Sequence, residues 1–232
     1  MYFKLCHAGN YNPNRRSKSA VKYIVLHYTA NDGDTARNNV DYYARTKLPR
    51  PASAHYFVDE TEIACSVPWD CIAWHCGGNR YKGTNPQFYG KCSNYNSIGI
   101  EMCSRLDGGG GFYIPKETQK RAAKFVARLM KEYDVDMDHV IRHYDVTGKR
   151  CPAPMVGAAQ WAEFKNLVNY YYNGGDDMYI EKLGDIPAGE LRDTVKECVE
   201  KGIVRGTGDG LHLTMDMVRC LVFCKRMIEK GV

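Results

Sequence analysis

What this 232-residue chain lacks narrows the field before any motif is considered. It has no run of 18 or more apolar residues, which excludes a membrane-spanning helix. Ten cysteines are present, yet no two stand as Cys-x-x-Cys, so zinc-ribbon and thioredoxin-type sites are excluded. The four glycines Gly108 to Gly111 lead into Phe112-Tyr113-Ile114, without the Lys-Ser/Thr and helix of a phosphate-binding loop. They read instead as a flexible turn or the edge of a groove. Low-complexity tracts and internal repeats are absent, which argues against large-scale disorder. The net charge of +5 is too small to argue for nucleic-acid binding, and no nucleic-acid motif accompanies it. The opening MYFKLCHAGNYNPNRRSKSA has no apolar stretch ahead of its basic cluster, so the chain is expected to be made in the cytoplasm without a signal peptide. Most of the cysteines are then expected to be reduced thiols that act as small apolar residues.

The chain is long enough for one or two domains with a real core. Asn173-Gly174-Gly175-Asp176-Asp177 is a polar, turn-forming stretch between two apolar segments. It divides a domain at 1–172 from one at 179–232, through a linker at 173–178. Charge divides there too. Residues 177–232 carry nine basic and ten acidic side chains, net −1, whereas the first 176 carry 23 and 17, net +6. The short second piece is near the lower limit for independent folding.

In the first piece, strand-like and helix-like segments alternate. Lys22 to His27 is a β-branched, apolar run. Asp34-Thr35 caps a helix reaching about Arg45. His55 to Val58 and Glu62 to Cys65 flank a hairpin turn, and Ser97 to Cys103 reads as another strand. Lys116 to Tyr133 is an amphipathic helix with Ala122, Phe125, Val126, Leu129 and Met130 along one stripe. Val140 to His143 reads as a strand end and Ala158 to Tyr172 as a further helix. The expected fold class is α/β, a mixed central β-sheet flanked by helices, with a small helical C-terminal domain.

Two of the seven histidines, His27 and His143, stand where strands run out into loops, and Cys151 follows His143 by eight residues. Imidazole nitrogen and thiolate sulfur suit zinc, and three protein ligands with an open fourth position make a catalytic site. Spacing alone leaves open that these histidines are only hydrogen-bonded. It also leaves open a structural metal site completed by His139 or Asp145. Glu101 interrupts the apolar strand Ile98-Gly99-Ile100-Glu101-Met102, which makes it either a general base with a raised pKa or a residue on a solvated face. Lys149 is either a cation for a developing oxyanion or a solvated loop lysine. The stretch 69–95 crowds Trp69, Trp74, Tyr81, Phe88, Tyr89 and Tyr95 among Gly, Asn and Pro. That suits sugar or peptide contact, or local packing.

His27 in IVLHYTAN, SAHYFVDE, NSIGIE and RHYDVTGKRCP together resemble the zinc-dependent type-2 N-acetylmuramoyl-L-alanine amidases of phage endolysins and bacterial autolysins, relatives of the peptidoglycan recognition proteins. The resemblance runs from about residue 20 to 165. It implies that His27, His143 and Cys151 hold one Zn2+, that Glu101 activates water, and that Lys149 stabilises the tetrahedral oxyanion. His75 and Trp74, in Ala73-Trp74-His75-Cys76-Gly77, match a segment that lines the substrate groove. Some relatives have a tyrosine just before the histidine matching His55; here it is Ala54, and His55 is expected to be structural. The implied reaction is hydrolysis of the amide between N-acetylmuramic acid and L-alanine in peptidoglycan, by a lytic enzyme that reaches the wall after release. The alternative on the same fold is a non-catalytic peptidoglycan-binding module.

Residues 179–232 read as helix, Gly-rich loop, helix. Asp185-Ile186-Pro187 and Lys201 to Gly210 resemble a single S-layer homology repeat, with Leu191 in place of the expected aromatic and Asp216-Met217-Val218-Arg219 in place of the usual signature. This implies attachment to a secondary cell-wall polymer. The stripe Met217, Leu221, Cys224 and Ile228 also suits a homodimer seam or an intradomain core.

Overall fold

The computed structural model describes residues 1–175, 180, 182–186, 188–205, 210–211 and 213–231. These form two compact units, Met1–Tyr172 and Asn173–Val232. Several sequence readings fall wholly or partly outside the described residues: 176–178 of the linker, Pro187, the Gly-rich loop at 206–209, His212, and the side chain of Asp216.

The first unit is built on a six-stranded sheet. In chain order its strands are β1 (Tyr2–Phe3), β3 (Tyr23–Tyr28), β4 (Tyr56–Val58), β5 (Ile63–Cys65), β7 (Ser97–Met102) and β10 (Val140–Arg142). Two strands outside the main sheet, β2 (Tyr11–Asn12) and β6 (Ile72–Ala73), pair antiparallel, and a hairpin joins β8 (Arg105–Leu106) to β9 (Phe112–Tyr113). The run of glycines forms the turn of that hairpin, held by Asp107, whose carboxylate accepts from the Gly109 and Gly111 amides. The order in the main sheet is β1-β5-β4-β7-β3-β10. β4, β7, β3 and β10 run parallel; β5 pairs antiparallel to β4 in the expected hairpin, and β1 lies parallel to β5 at the edge.

Alternation along the strands sorts the two faces. Ile24 and Leu26 of β3, with Ile98, Ile100 and Met102 of β7, point into the main core. That core is covered by α2 (Lys116–Tyr133) and α4 (Ala158–Tyr172), through Ala122, Val126, Leu129, Phe164 and Val168. The opposite face carries Tyr23, Val25 and Ile141 under an irregular layer. Further along, α1 (Ala36–Arg45) buries Ala36 and Val40 against Phe57 and Ala64. Thr35 caps α1 by accepting from the Asn38 amide, and Asn38 returns the bond to the Thr35 amide. The strand read at 140–143 stops at Arg142. A five-residue helix, α3 (His143–Thr147), begins at the next residue.

In the second unit, α5 (Glu190–Glu200) and α6 (Met215–Glu229) pack around Ile180, Ile186, Val195, Leu213 and Val218. Ile180 and Leu213 form an isolated antiparallel bridge. Of the stripe on α6, Leu221 packs against this core, whereas Met217, Cys224 and Ile228 are exposed.

Candidate metal centre

The parallel register of β4, β7, β3 and β10 aligns one row of side chains across the non-core face. His27 on β3 stands level with Glu101 on β7, and Glu101 with Phe57 on β4. β3 and β10 pair up to Leu26 and Arg142, so His143, one residue on, stands level with His27. The two imidazole centroids are 4.9 Å apart. All three polar residues sit at the carboxyl ends of parallel strands, where open α/β sheets place their sites.

Cys151 reaches this row from the loop after α3. The turn that carries it begins at Gly148, where φ is +80° and a Cβ would lie 2.2 Å from the Thr84 hydroxyl, so only glycine fits. Arg142 then clamps the segment. Its guanidinium bonds both oxygens of Asp145 and donates to the Met155 and Val156 carbonyls, while the Tyr144 amide donates to the Cys151 carbonyl. The result is a buried trio, His27, His143 and Cys151, whose ligand atoms all lie within 4.8 Å of one another. Cys151 Sγ is 3.6 Å from His27 Nδ1. Among the described residues no fourth His, Cys, Asp or Glu joins this trio. His139 instead pairs with Asp136 at 2.7 Å, and Asp145 is taken by Arg142.

Several of these groups are strained electrostatically as they stand. Both ring nitrogens of His143 are buried without a hydrogen-bond partner, as is Oε2 of Glu101. Burial, and then the charges of Lys149 and His75, lower the His143 pKa to about 3. Burial followed by His143 and His75 holds His27 well below its ordinary range. The Cys151 thiol is pushed up to about 12 by burial and by Glu101, against the pull of the Tyr28 backbone and Lys149. Glu101 is raised to about 8 by burial and by Asp34, with Lys149 acting against them. Two neutral imidazoles and a thiol, closely grouped and partly unpaired, offer two nitrogen donors and one sulfur donor. Unpaired buried polar atoms cost about 1–3 kcal/mol each unless something completes them. A divalent cation would do so and would draw the thiol to thiolate. The residues present therefore fit a metal, and a set of two nitrogen donors and one sulfur donor suits zinc.

The remaining residues singled out in the sequence surround this trio. Lys149 is exposed, and its charge acts on His27, Glu101, His143 and Cys151 alike. Trp74 lines a cleft of about 470 Å³ together with Cys76, Tyr89, Tyr95 and Thr147. The aromatic loop is split in purpose. Tyr81, Tyr89 and Tyr95 are exposed, whereas Trp69 packs on Tyr133 and Phe88 on Tyr23. His55 is fully buried and satisfied: its Nδ1 accepts from the Gly99 amide, and its Nε2 is 3.1 Å from Arg16 and 3.3 Å from the Cys71 carbonyl. His75 lies between His55 and His27, with neither ring nitrogen left for a substrate. Sequence reasoning missed Ser97, Gly99 and Asp34 as neighbours of the site. The signal available was the period of two in Ser97-Ile98-Gly99-Ile100-Glu101, which puts small and polar residues on the Glu101 face.

A model of the N-acetylmuramoyl-L-alanine amidase family matches residues 17–154, a span that contains His27, Glu101, His143, Lys149 and Cys151. The N-acetylmuramoyl-L-alanine amidase BlyA of Bacillus subtilis (strain 168) is 37% identical over 167 residues, covering 66% of this chain and 42% of that protein. The amidase CwlL of Bacillus licheniformis is 38% identical over 155 residues, covering 65% of this chain and 41% of its own. The chain thus spans roughly two fifths of the length of these curated relatives. Among solved structures, PlyL superposes with a TM-score of 0.56 at 28% identity, over 72% of this chain and 96% of that one. The catalytic domain of XlyA does so with a TM-score of 0.55 at 26% identity, over 72% and 97%.

Proposed function

The chain belongs to the N-acetylmuramoyl-L-alanine amidase family, and from that premise we propose that it is a zinc-dependent lytic hydrolase of the amide joining N-acetylmuramic acid to L-alanine in peptidoglycan. The observation that carries the catalytic reading is the trio of two imidazoles and one thiol with Glu101 beside it: a site with metal ligands and a buried, unpaired carboxyl, on a face bordered by an aromatic cleft.

His27, His143 and Cys151 hold the zinc. When bound, the ion supplies Lewis acidity, polarising the amide carbonyl and acidifying water. Glu101 takes the proton from the attacking water and returns it to the departing amine, a transfer suited to a carboxyl whose pKa lies near neutrality. The Lys149 ammonium offsets the negative charge that develops on the former carbonyl oxygen. Trp74 and the exposed tyrosines of the cleft offer flat faces to sugar or peptide. We assign the chemistry to residues 1–172 and attachment to a wall polymer, or self-association, to the helical unit. The enzyme works on the wall after release from the cell that makes it.

Purified cell walls provide the test. The native chain should hold one zinc and expose new L-alanine amino termini. Cys151→Ser should lose both, and Glu101→Ala should keep zinc and slow the reaction by about 10²–10⁴-fold. Zinc and wall binding without new amino termini would instead show a recognition module.

A further inference from the structure

Beside the trio, a chain of hydrogen bonds runs from His27 to the backbone. His27 Nε2 is 3.0 Å from His75 Nδ1. His75 Nε2 is 3.2 Å from Ser97 Oγ, and Ser97 Oγ is 2.6 Å from the Ser93 carbonyl. The direction of the whole chain follows from its last link. A carbonyl oxygen only accepts, so the single hydroxyl proton of Ser97 goes to Ser93. Ser97 Oγ must then accept from His75, which puts the His75 proton on Nε2 and a lone pair on Nδ1. That lone pair accepts from His27, whose proton is therefore on Nε2. The remaining lone pair of His27 is on Nδ1, the atom 3.6 Å from Cys151 Sγ and turned toward the trio.

Three supports hold His75 in place for this. Its ring lies against Gly99, where a Cβ would come within 2.5 Å of the imidazole, so the strand is hollowed to admit it. The His75 and Cys76 amides both donate to Asn94 Oδ1. The buried Arg16 donates to the Asn94, Tyr95 and Ser97 carbonyls, which ties the loop to the strand.

We propose that His75 and Ser97 are positioning residues that hold His27 in the tautomer and ring orientation needed for ligation through Nδ1, so that the site is set for a metal before one arrives. A second ring of hydrogen bonds behind a ligating histidine fixes its tautomer and raises its basicity. A one-way chain ending on a fixed carbonyl strengthens each link in turn. The consequence for zinc rests on the function proposed above, while the tautomer is a property of the metal-free protein.

The test uses the full chain carrying isotope-labelled histidine rings. In the metal-free native protein, nitrogen chemical shifts should show His27 protonated at Nε2. His75→Phe fills the ring's space without an acceptor. It should leave His27 a mixture of tautomers and weaken zinc about 10–100-fold in competition with a chelator. His75→Asn places an amide oxygen near the position of Nδ1 and should restore the Nε2 proton, with zinc affinity within about threefold of native. Ser97→Ala frees the His75 proton to change nitrogens and should fall between the two. Protonation of His27 at Nδ1 in the native chain would overturn the proposal, as would equal weakening of zinc by His75→Phe and His75→Asn. If the native chain shows the expected tautomer, dependent on His75, yet takes up no zinc, the amidase reading fails and the positioning role stands.

Discussion

His55 and His143 are both buried, at 0% and 4% exposure, yet the protein treats them in opposite ways. His55 has a partner at every ring nitrogen: the Gly99 amide on one side and the Cys71 carbonyl on the other. His143 has none on either nitrogen. A buried imidazole left open in an otherwise well-bonded layer is an unbalanced cost in the isolated chain, and it makes sense as half of an interaction whose other half is supplied from outside. The saturated histidine belongs to the fold and the open one to the site. His75, between them, is saturated too, but one of its partners is His27 of the trio, so it joins the two regions.

The comparison is broken most directly by exchanging each histidine for leucine. His143→Leu should abolish zinc uptake and amidase turnover. It should leave the metal-free protein as stable as before or somewhat more so, since no hydrogen bond is lost and unpaired polar atoms are removed. His55→Leu should do the reverse. It strands the Gly99 amide and the Cys71 carbonyl, costing about 3 kcal/mol in denaturant unfolding, while the folded fraction still binds zinc. Equal loss of stability in the two variants would sink the distinction.

Metal addition sharpens the contrast. Zinc at about 1,000 times its dissociation constant should stabilise the native chain by about 4 kcal/mol, and a chelator should remove that gain. His143→Leu should show no such gain. Since His55 lies outside the trio, His55→Leu should keep it in full.

Much of the first unit was legible in the sequence. α2 and α4 were read with the bounds observed, α2 because a long amphipathic stripe has only one face to bury. Thr35 marked the start of α1 through its capping side chain. Two-residue strands such as Tyr2–Phe3 carry too little pattern to be seen, since their pairing is set by what lies beside them. α3 was hidden because its first residue looks like the end of a strand, and five residues show no helical period. His27, His143 and Cys151 stood out by resemblance, whereas their spacing alone was weak. What no local pattern contained was the His27–His75 bond, which links a strand to an irregular segment 48 residues away. It exists only once β3 and β7 are in register and Gly99 leaves the gap that His75 fills.

Acid offers a finer test of the saturated histidine. Burial, then the charges of His75 and Arg16, hold His55 well below its ordinary 6.5. Below about pH 6.5 the unfolded chain takes up a proton at this position that the folded chain refuses. Stability therefore falls as pH drops from about 6.5 toward the folded value, and it is unaffected by this group above that window. With zinc removed, the pH dependence of unfolding free energy between about 6 and 5 should be shallower in His55→Leu than in the native chain. An unchanged slope would mean that His55 is charged in the fold, and that the bond its Nδ1 accepts from the Gly99 amide has been misread.

The smallest effect is expected where both partners of a contact already reach water. On the second unit Arg226 pairs with Glu190, and both side chains are more than half exposed or close to it, at 59% and 50%. Water solvates either partner when the other is removed, so no stranded donor or acceptor remains. Arg226→Ala should therefore change unfolding free energy by less than about 1 kcal/mol, and added salt should shrink even that. Set beside His55→Leu, the two substitutions delete comparably close contacts and differ in whether the abandoned partner can reach water. If Arg226→Ala cost as much as His55→Leu, solvent access to the partner would not be what separates a structural contact from an ornamental one in this protein.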